Sequence, residues 1–217
     1  MRVLAVPVKS LERAKGRLAP VLSRAERAAL SLVMLDDVLD ACLAQTGWEV
    51  WVVSHDEAAL EIAVRRGARP LLEKGQSLLG AVRQVEAEVA GRSNELAVVL
   101  ADLPLITAEA VSAALALGQG PGVVAAPAGS DGGTNLLLRR PASVIPARFG
   151  PSSFAKHRWA ARRARLPFDE VRLPELAFDL DRPDDLTRVL AERGARRTRS
   201  ACLEMGVPDR LRQALSH

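Results

Sequence analysis

Apolar positions along the chain follow two alternating rhythms. Short solid runs at Val3–Val8, Trp48–Ser54, Leu96–Ala101 and Val123–Ala126 have the length and branched content of buried strands. Between them, apolar residues recur at helical spacing. Leu30, Val33, Met34, Val38 and Leu39 make one such stripe, and Ser23 with Glu26 forms a capping box at its start. That helix is expected to reach about Gln45. Further helices are predicted from Asp56 to near Gly67, from Gly75-Gln76-Ser77 through Ala90, and from Thr107 to about Leu117. Arg69–Leu72 and Asn135–Leu138 read as short strands, and Asp131-Gly132-Gly133 as a turn. Strand and helix alternate, which predicts a single α/β domain over residues 1–195 with a mostly parallel central sheet.

The second half is less regular. Phe149-Gly150-Pro151-Ser152-Ser153-Phe154 reads as a loop entering a helix, and Glu170–Leu173 and Ala177–Leu180 as extended segments. Pro183 suits the first position of a helix running to Arg193. Residues 196–217 read as one short helix or a flexible tail, with Arg196, Arg197 and Arg199 exposed.

Composition narrows the class. With 217 residues and 48% hydrophobic content, the chain can bury a substantial core without disulfides. Its two cysteines, Cys42 and Cys202, match no zinc spacing and suit a reducing compartment, so a cytoplasmic protein is expected. The apolar start stops at Lys9, too short for a signal peptide, and no run is long enough to span a membrane. A net charge of +4 raises nucleic acid as a partner. Against that, aromatics are 3% with no tyrosine, which leaves few stacking platforms. The cluster Arg158, Arg162, Arg163, Arg165 reads as a solvated helix face. Only four lysines occur, Lys9, Lys15, Lys74 and Lys156, and each lies in or beside a loop that bears on ligand binding.

The candidate chemistry is anionic and oxygen-rich. Asp102 ends the strand Leu96–Ala101, at the carboxyl end where open α/β sheets bind ligands. Asp179 and Asp181, two apart in an extended segment, face one side. Such carboxylates repel one another, and magnesium would remove the conflict. Each also has a plainer reading: Asp102 as a loop or helix cap, Asp181 as a cap for the helix at Pro183. The loop after the first strand carries Lys9, Lys15 and Arg17, which can neutralise a triphosphate through side chains, since no glycine-rich phosphate loop is present. Gly150, Ser152 and Ser153 open a helix whose free N–H groups favour an anion, and Thr134 follows two glycines. His157 reads as a helix-packing or exposed histidine.

Several motifs recur in a telling order: Val6-Pro7-Val8-Lys9, Ala14-Lys15-Gly16-Arg17-Leu18, Ala101-Asp102-Leu103-Pro104-Leu105, Gly133-Thr134-Asn135, Phe149-Gly150 with Ser153-Phe154 and His157, and Asp179-Leu180-Asp181-Arg182-Pro183-Asp184 with Leu186. Together they resemble the CofC/FbiD guanylyltransferases of coenzyme F420 biosynthesis. The resemblance implies a Rossmann-like, MobA-like nucleotidyltransferase with GTP as donor. It implies phosphoenolpyruvate or 2-phospho-L-lactate as acceptor, with Thr134, Gly150 and Ser153 holding the acceptor's phosphate. Asp102, Asp179 and Asp181 would bind the metal, and a homodimer is plausible. The segment Gly75-Gln76-Ser77-Leu78-Leu79-Gly80 departs from the family's Gly-Leu-Asn, with Leu79 in place of asparagine. Two rival readings are another phosphorylated acceptor (a sugar phosphate or molybdopterin) and a non-catalytic nucleotide- or RNA-binding module.

Overall fold

The structure is a computed structural model that describes residues 1–75, 77–92, 94–192 and 194–214. Its centre is a seven-stranded sheet in the order β3-β2-β1-β4-β6-β5-β7. The strands are β1 (Arg2–Pro7), β2 (Glu49–Ser54), β3 (Arg69–Leu72), β4 (Glu95–Val99), β5 (Gly122–Pro127), β6 (Thr134–Arg140) and β7 (Phe168–Glu170). β1 pairs in parallel with β2 and β4, β2 with β3, and β5 with β7. β6 runs antiparallel to both β4 and β5, so the sheet is mixed at that point.

Helices cover both faces because the strand residues alternate. Leu4, Val6, Val50, Val52, Ala97 and Val99 face one core with α1 (Arg24–Leu43), α2 (Glu57–Arg66), α4 (Ala108–Ala116) and α6 (Pro174–Ala177). Val3, Ala5, Trp51, Val53, Leu96 and Val98 face the other, with α3 (Leu78–Val89) and α5 (Ser153–Arg163). The capping box at α1 is present as expected: Ser23 Oγ accepts from the Glu26 N–H, and Glu26 accepts from the Ser23 N–H. The helix expected to start at Gly75-Gln76-Ser77 begins with Ser77 as its cap; Gln76 lies outside the described residues.

Three readings of the second half change. The strand near residue 170 is Phe168–Glu170, not Glu170–Leu173. Residues Pro174–Ala177 form a helical turn, because Pro174 suits a first helical position, so only Phe178 onward is extended. After α7 (Pro183–Ala191), whose expected end at Arg193 lies outside the described residues, the chain forms α8 (Arg196–Glu204) and α9 (Val207–Ala214). These helices are docked on α1. Cys202, Val207 and Leu211 bury against Leu30 and Met34 together with Leu18 and Leu22. Arg197 pairs with Asp36, Asp37 and Asp40 of α1, and Arg210 with Glu26. The exposed tail expected around Arg197 is therefore an ion-paired helix face.

The chain winds outward from β1 through β2 to β3, then returns across the molecule to β4 on the other side of β1. That reversal leaves a crevice outside the carboxyl ends of β1 and β4, where ligands of open α/β sheets bind.

Candidate active site

A cleft of about 440 Å³ occupies that crevice, lined by Lys9, Lys15, Arg17, Asp102 and Asp181 together with Ser31, Met34 and Leu78. The loop from Lys9 to Leu22 wraps it in two short 3-10 turns, Leu11–Arg13 and Gly16–Leu18, and is pinned from below by buried Leu18, Val21 and Leu22. Between the turns Lys15 adopts a left-handed backbone, φ 50° and ψ 42°, a conformation that side chains other than glycine take at a cost of about 1–3 kcal/mol. The strain aims its side chain inward. Lys15 Nζ donates to Asp102 Oδ2 at 2.6 Å and to Asp181 Oδ1 at 2.7 Å. Arg17 approaches Asp181 from outside, at 3.8 Å.

Asp102 and Asp181 converge because one backbone bond ties their segments together. The Leu180 N–H donates to the Asp102 carbonyl, 3.1 Å, while the Leu180 side chain is buried. Asp181 is itself held at the start of α7, where Asp185 accepts from the Asp181 and Arg182 N–H groups. Asp179 lies outside the cleft lining but shares its field. Burial pushes its carboxyl up to about 6, and the charges of Asp102 and Asp181 add to that push. Burial also opposes the charges of Asp102 and Lys15, yet their mutual attraction wins: Asp102 titrates below the usual carboxylate range and Lys15 above the usual lysine value. Lys9 adds a weaker pull on Asp102.

Of the three expected acids, Asp102 and Asp181 meet at the Lys15 ammonium, whereas Asp179 makes no bond to it and is coupled to the pair only through charge. Among the described residues no three Asp, Glu, His or Cys side chains stand as a ready metal cage. The donor set nevertheless fits magnesium. Asp102 Oδ1 is buried with no hydrogen-bond partner, Asp179 sits in an excess of negative charge, and all the atoms are hard oxygens.

The burial of Asp179 beside two other acids has a measurable consequence. Its folded pKa of about 6 lies above the ordinary 3.8, so the folded state holds this proton more tightly than the unfolded chain. Stability of the metal-free protein therefore falls as pH rises between these values. Asp179→Asn removes that cost: in EDTA at pH 8 the variant is expected to melt above the wild type, with the two converging below pH 4. Equal pH dependence of the two melting curves would refute the assignment.

The residues expected to hold the acceptor form a second group, and none of them lines the cleft. β6 begins at Thr134 next to the end of β4, where the Leu100 N–H donates to Asn135 O at 2.9 Å. The turn before it is tight: Gly133 N–H donates to Asp131 Oδ1, and a Cβ at Gly133 would lie 2.6 Å from that oxygen. Thr134 Oγ1 accepts from the Ser153 hydroxyl at 3.0 Å, at the first turn of α5. Gly150, exposed and with φ 122°, makes the bend that brings the chain into α5. Arg158, Arg162, Arg163 and Arg165 are exposed, as expected of a solvated face. His157 is the helix-packing histidine of the two readings, set on α5 against the Phe149 ring. It is fully buried and hydrogen-bonds Thr134 Oγ1 at 3.1 Å and the Arg148 N–H at 2.9 Å. Only its place one turn after Ser153 hinted at that role in the sequence.

The sheet is doubly wound, with a cationic loop after its first strand, Asp102 after its fourth and Asp179 and Asp181 after its seventh. Solved structures agree on the fold. A protein from Desulfovibrio desulfuricans G20 superposes with a TM-score of 0.77 over 98% of both chains at 22% identity. A nucleotidyl transferase from Methanothermobacter thermautotrophicus superposes at 0.63, with 14% identity, over 87% of this chain and 95% of its own. The family model described as guanylyl transferase CofC like matches residues 1–207, and the chain belongs to that family of enzymes. Three relatives are guanylyltransferases that differ in acceptor. The phosphoenolpyruvate guanylyltransferase of Sphaerobacter thermophilus is 43% identical over 186 residues, 85% of this chain and 90% of the relative. The 3-phospho-D-glycerate guanylyltransferase of Phenylobacterium zucineum is 40% identical over 192 residues, 85% and 88%. The 2-phospho-L-lactate guanylyltransferase of Methanothermobacter thermautotrophicus is 37% identical over 186 residues, 85% and 82%.

Proposed function

We propose that this protein transfers GMP from GTP to a small phosphorylated three-carbon acid, phosphoenolpyruvate before 2-phospho-L-lactate, in the biosynthesis of coenzyme F420. The observation that carries the reading is the pairing of Lys15 with Asp102 and Asp181 in the cleft, with Thr134 and Ser153 as a second group. Phosphoenolpyruvate is placed first because the 43% identical relative acts on it. 3-Phospho-D-glycerate is the second reading, supported by a 40% identical relative. All are anions of similar size, so the cationic cleft suits each.

In the reaction an oxygen of the acceptor's phosphate attacks the α-phosphorus of GTP. A new P–O bond forms, the bond from the α-phosphorus to the β-bridging oxygen breaks, and pyrophosphate leaves with that electron pair. The attacking oxygen is already ionised at neutral pH, so no general base is required. Lys9, Lys15 and Arg17 surround the triphosphate and neutralise charge as it shifts toward the leaving group. Thr134, Gly150 and Ser153 hold the acceptor's phosphate so that its free oxygen faces the donor. Asp102, Asp179 and Asp181 would hold magnesium, which would supply charge neutralisation for the anionic reactants.

Among the described residues no helix is long and apolar enough to cross a membrane. Both cysteines are free and buried, which supports a cytoplasmic setting.

Incubation with GTP, magnesium and each acid in turn, with the next enzyme of the pathway to draw off unstable product, is expected to release pyrophosphate with phosphoenolpyruvate fastest. Pyrophosphate release with none of the three acids would reject the reading. A clear preference for 3-phospho-D-glycerate would move the assignment to that acceptor.

A further inference from the structure

The hydrogen bonds around His157 have a polarity. The Arg148 N–H can only donate, and it donates to His157 Nε2 at 2.9 Å. Nε2 therefore carries the lone pair, and the single ring proton sits on Nδ1. The ring stays neutral: burial, then the charges of Arg139, Arg148 and Lys156, lower its pKa to about 4. The Nδ1–H points at Thr134 Oγ1, 3.1 Å away, and the Ser153 hydroxyl donates to the same oxygen at 3.0 Å. Both acceptor positions of Thr134 are then filled by donors. Its own hydroxyl proton has no acceptor among the described residues, although Thr134 is only 2% exposed. Reversing the Ser153–Thr134 bond would move the free proton to Ser153 and leave the polarity unchanged. A run of donors that begins at a backbone N–H ends in a donor.

A buried hydroxyl proton without an acceptor is costly, so it calls for an acceptor beyond the described residues. Two glycine-bearing loops adjoin the pair, and the Ser153 N–H donates to Gly150 O at 3.0 Å. The Phe154 N–H donates to Gly132 O, and a Cβ at Gly132 would lie 3.8 Å from the Ser152 Cα. His157 has no free lone pair, so it does not serve as a base.

We propose that His157 is a positioning residue for acceptor recognition: through its Nδ1–H it obliges the Thr134–Ser153 hydroxyl pair to donate, so that this end of the site takes a group that only accepts, a phosphate oxygen of the acid substrate. The inference rests on the guanylyltransferase reading for the identity of that acid. It does not need that reading for the polarity of the network.

Two variants separate the ring nitrogens. His157→Asn keeps a donor near the Nδ1 position, and His157→Gln keeps an acceptor near Nε2 while losing the donor to Thr134. His157→Gln is expected to raise the KM for phosphoenolpyruvate about tenfold, because Thr134 is no longer obliged to donate to the charged phosphate, with the KM for GTP unchanged. His157→Asn is expected to stay within about threefold of wild type, because the bond to Thr134 survives. Thr134→Val should raise the same KM, and adding His157→Gln to it should change nothing further, since His157 acts through that hydroxyl. Additive effects in the double variant, or equal rises in both KM values, would overturn the proposal. A measurement free of turnover judges it independently. In protein labelled with 15N-histidine, His157 is expected to be neutral and Nδ1-protonated from pH 5 to 8, and inorganic phosphate is expected to shift its Nδ1 resonance in wild type but not in Thr134→Val. An imidazolium, the Nε2–H tautomer, or no phosphate response in wild type would overturn it. Failure of all acids to turn over, with these spectral results intact, would reject the substrate assignment and leave the role of His157 standing.

Discussion

Lys15→Met is expected to abolish nucleotidyl transfer and to lower the stability of the protein. Removing one partner of a buried ion pair costs about 3–5 kcal/mol, because the charge left behind has lost its compensation. Two carboxylates lose their partner here. The Lys15 side chain is 8% exposed, but Asp102 and Asp181 are 23% and 39% exposed, so water recovers part of the loss. The expectation is therefore the lower end, about 3 kcal/mol, or a melting temperature roughly 10 °C below wild type for a chain of this length. Magnesium chloride is expected to raise the melting temperature of the variant by more than that of wild type, since only the variant lacks its own cation between the acids. Thermal melts in EDTA and in magnesium check both statements. A variant melting within about 2 °C of wild type in EDTA would show that the Lys15 contacts contribute little to folding.

Asp102→Asn separates catalysis from stability. The amide oxygen can still accept from Lys15, Asp181 keeps its bond to Lys15, and the backbone bond from Leu180 to the Asp102 carbonyl is untouched. The melting temperature is therefore expected to stay within a few degrees, as for a substitution that leaves no buried charge unpaired. Activity is expected to fall about 100- to 1,000-fold, the range seen when one preorganised charged or donor group is removed from a reaction centre. Single-turnover measurements at saturating GTP read this directly. Near-normal turnover would remove Asp102 from the reaction centre, and collapse of the fold would make it a structural residue first.

The contrast between these variants reflects how the site is built. Lys15 is both a structural counter-ion and a candidate phosphate ligand. Its strained backbone and its double contact hold a positive charge at the crossing of three chain segments. Asp102 lies three residues past the end of the central strand β4, and its backbone carbonyl is anchored by the Leu180 N–H, so its position does not depend on its charge alone.

Much of this arrangement is legible along the chain. The strand run ending near Asp102, the stripe of α1, its capping box and the turn at Gly132-Gly133 all follow from residues within a few positions of one another. Such features are local, and local steric and hydrogen-bonding preferences determine them. The direction of β6 was not legible, because this antiparallel strand is buried on both faces and so shows the unbroken apolar run of a parallel one. Nor was the docking of α8, whose arginines resemble a solvated tail until α1 presents Asp36, Asp37 and Asp40 to them.

By itself the sequence determined the alternation of strand and helix, the place of Asp102 at a strand end, and the clustering of cations after β1. Tertiary structure alone decided that Lys15 would sit between Asp102 and Asp181, partners 87 and 166 residues away, and that His157 would stand behind Thr134. The physical reason is that electrostatic and hydrogen-bond energies depend on distance and direction through space. Packing of the sheet and its helices sets those quantities only once the chain has closed on itself.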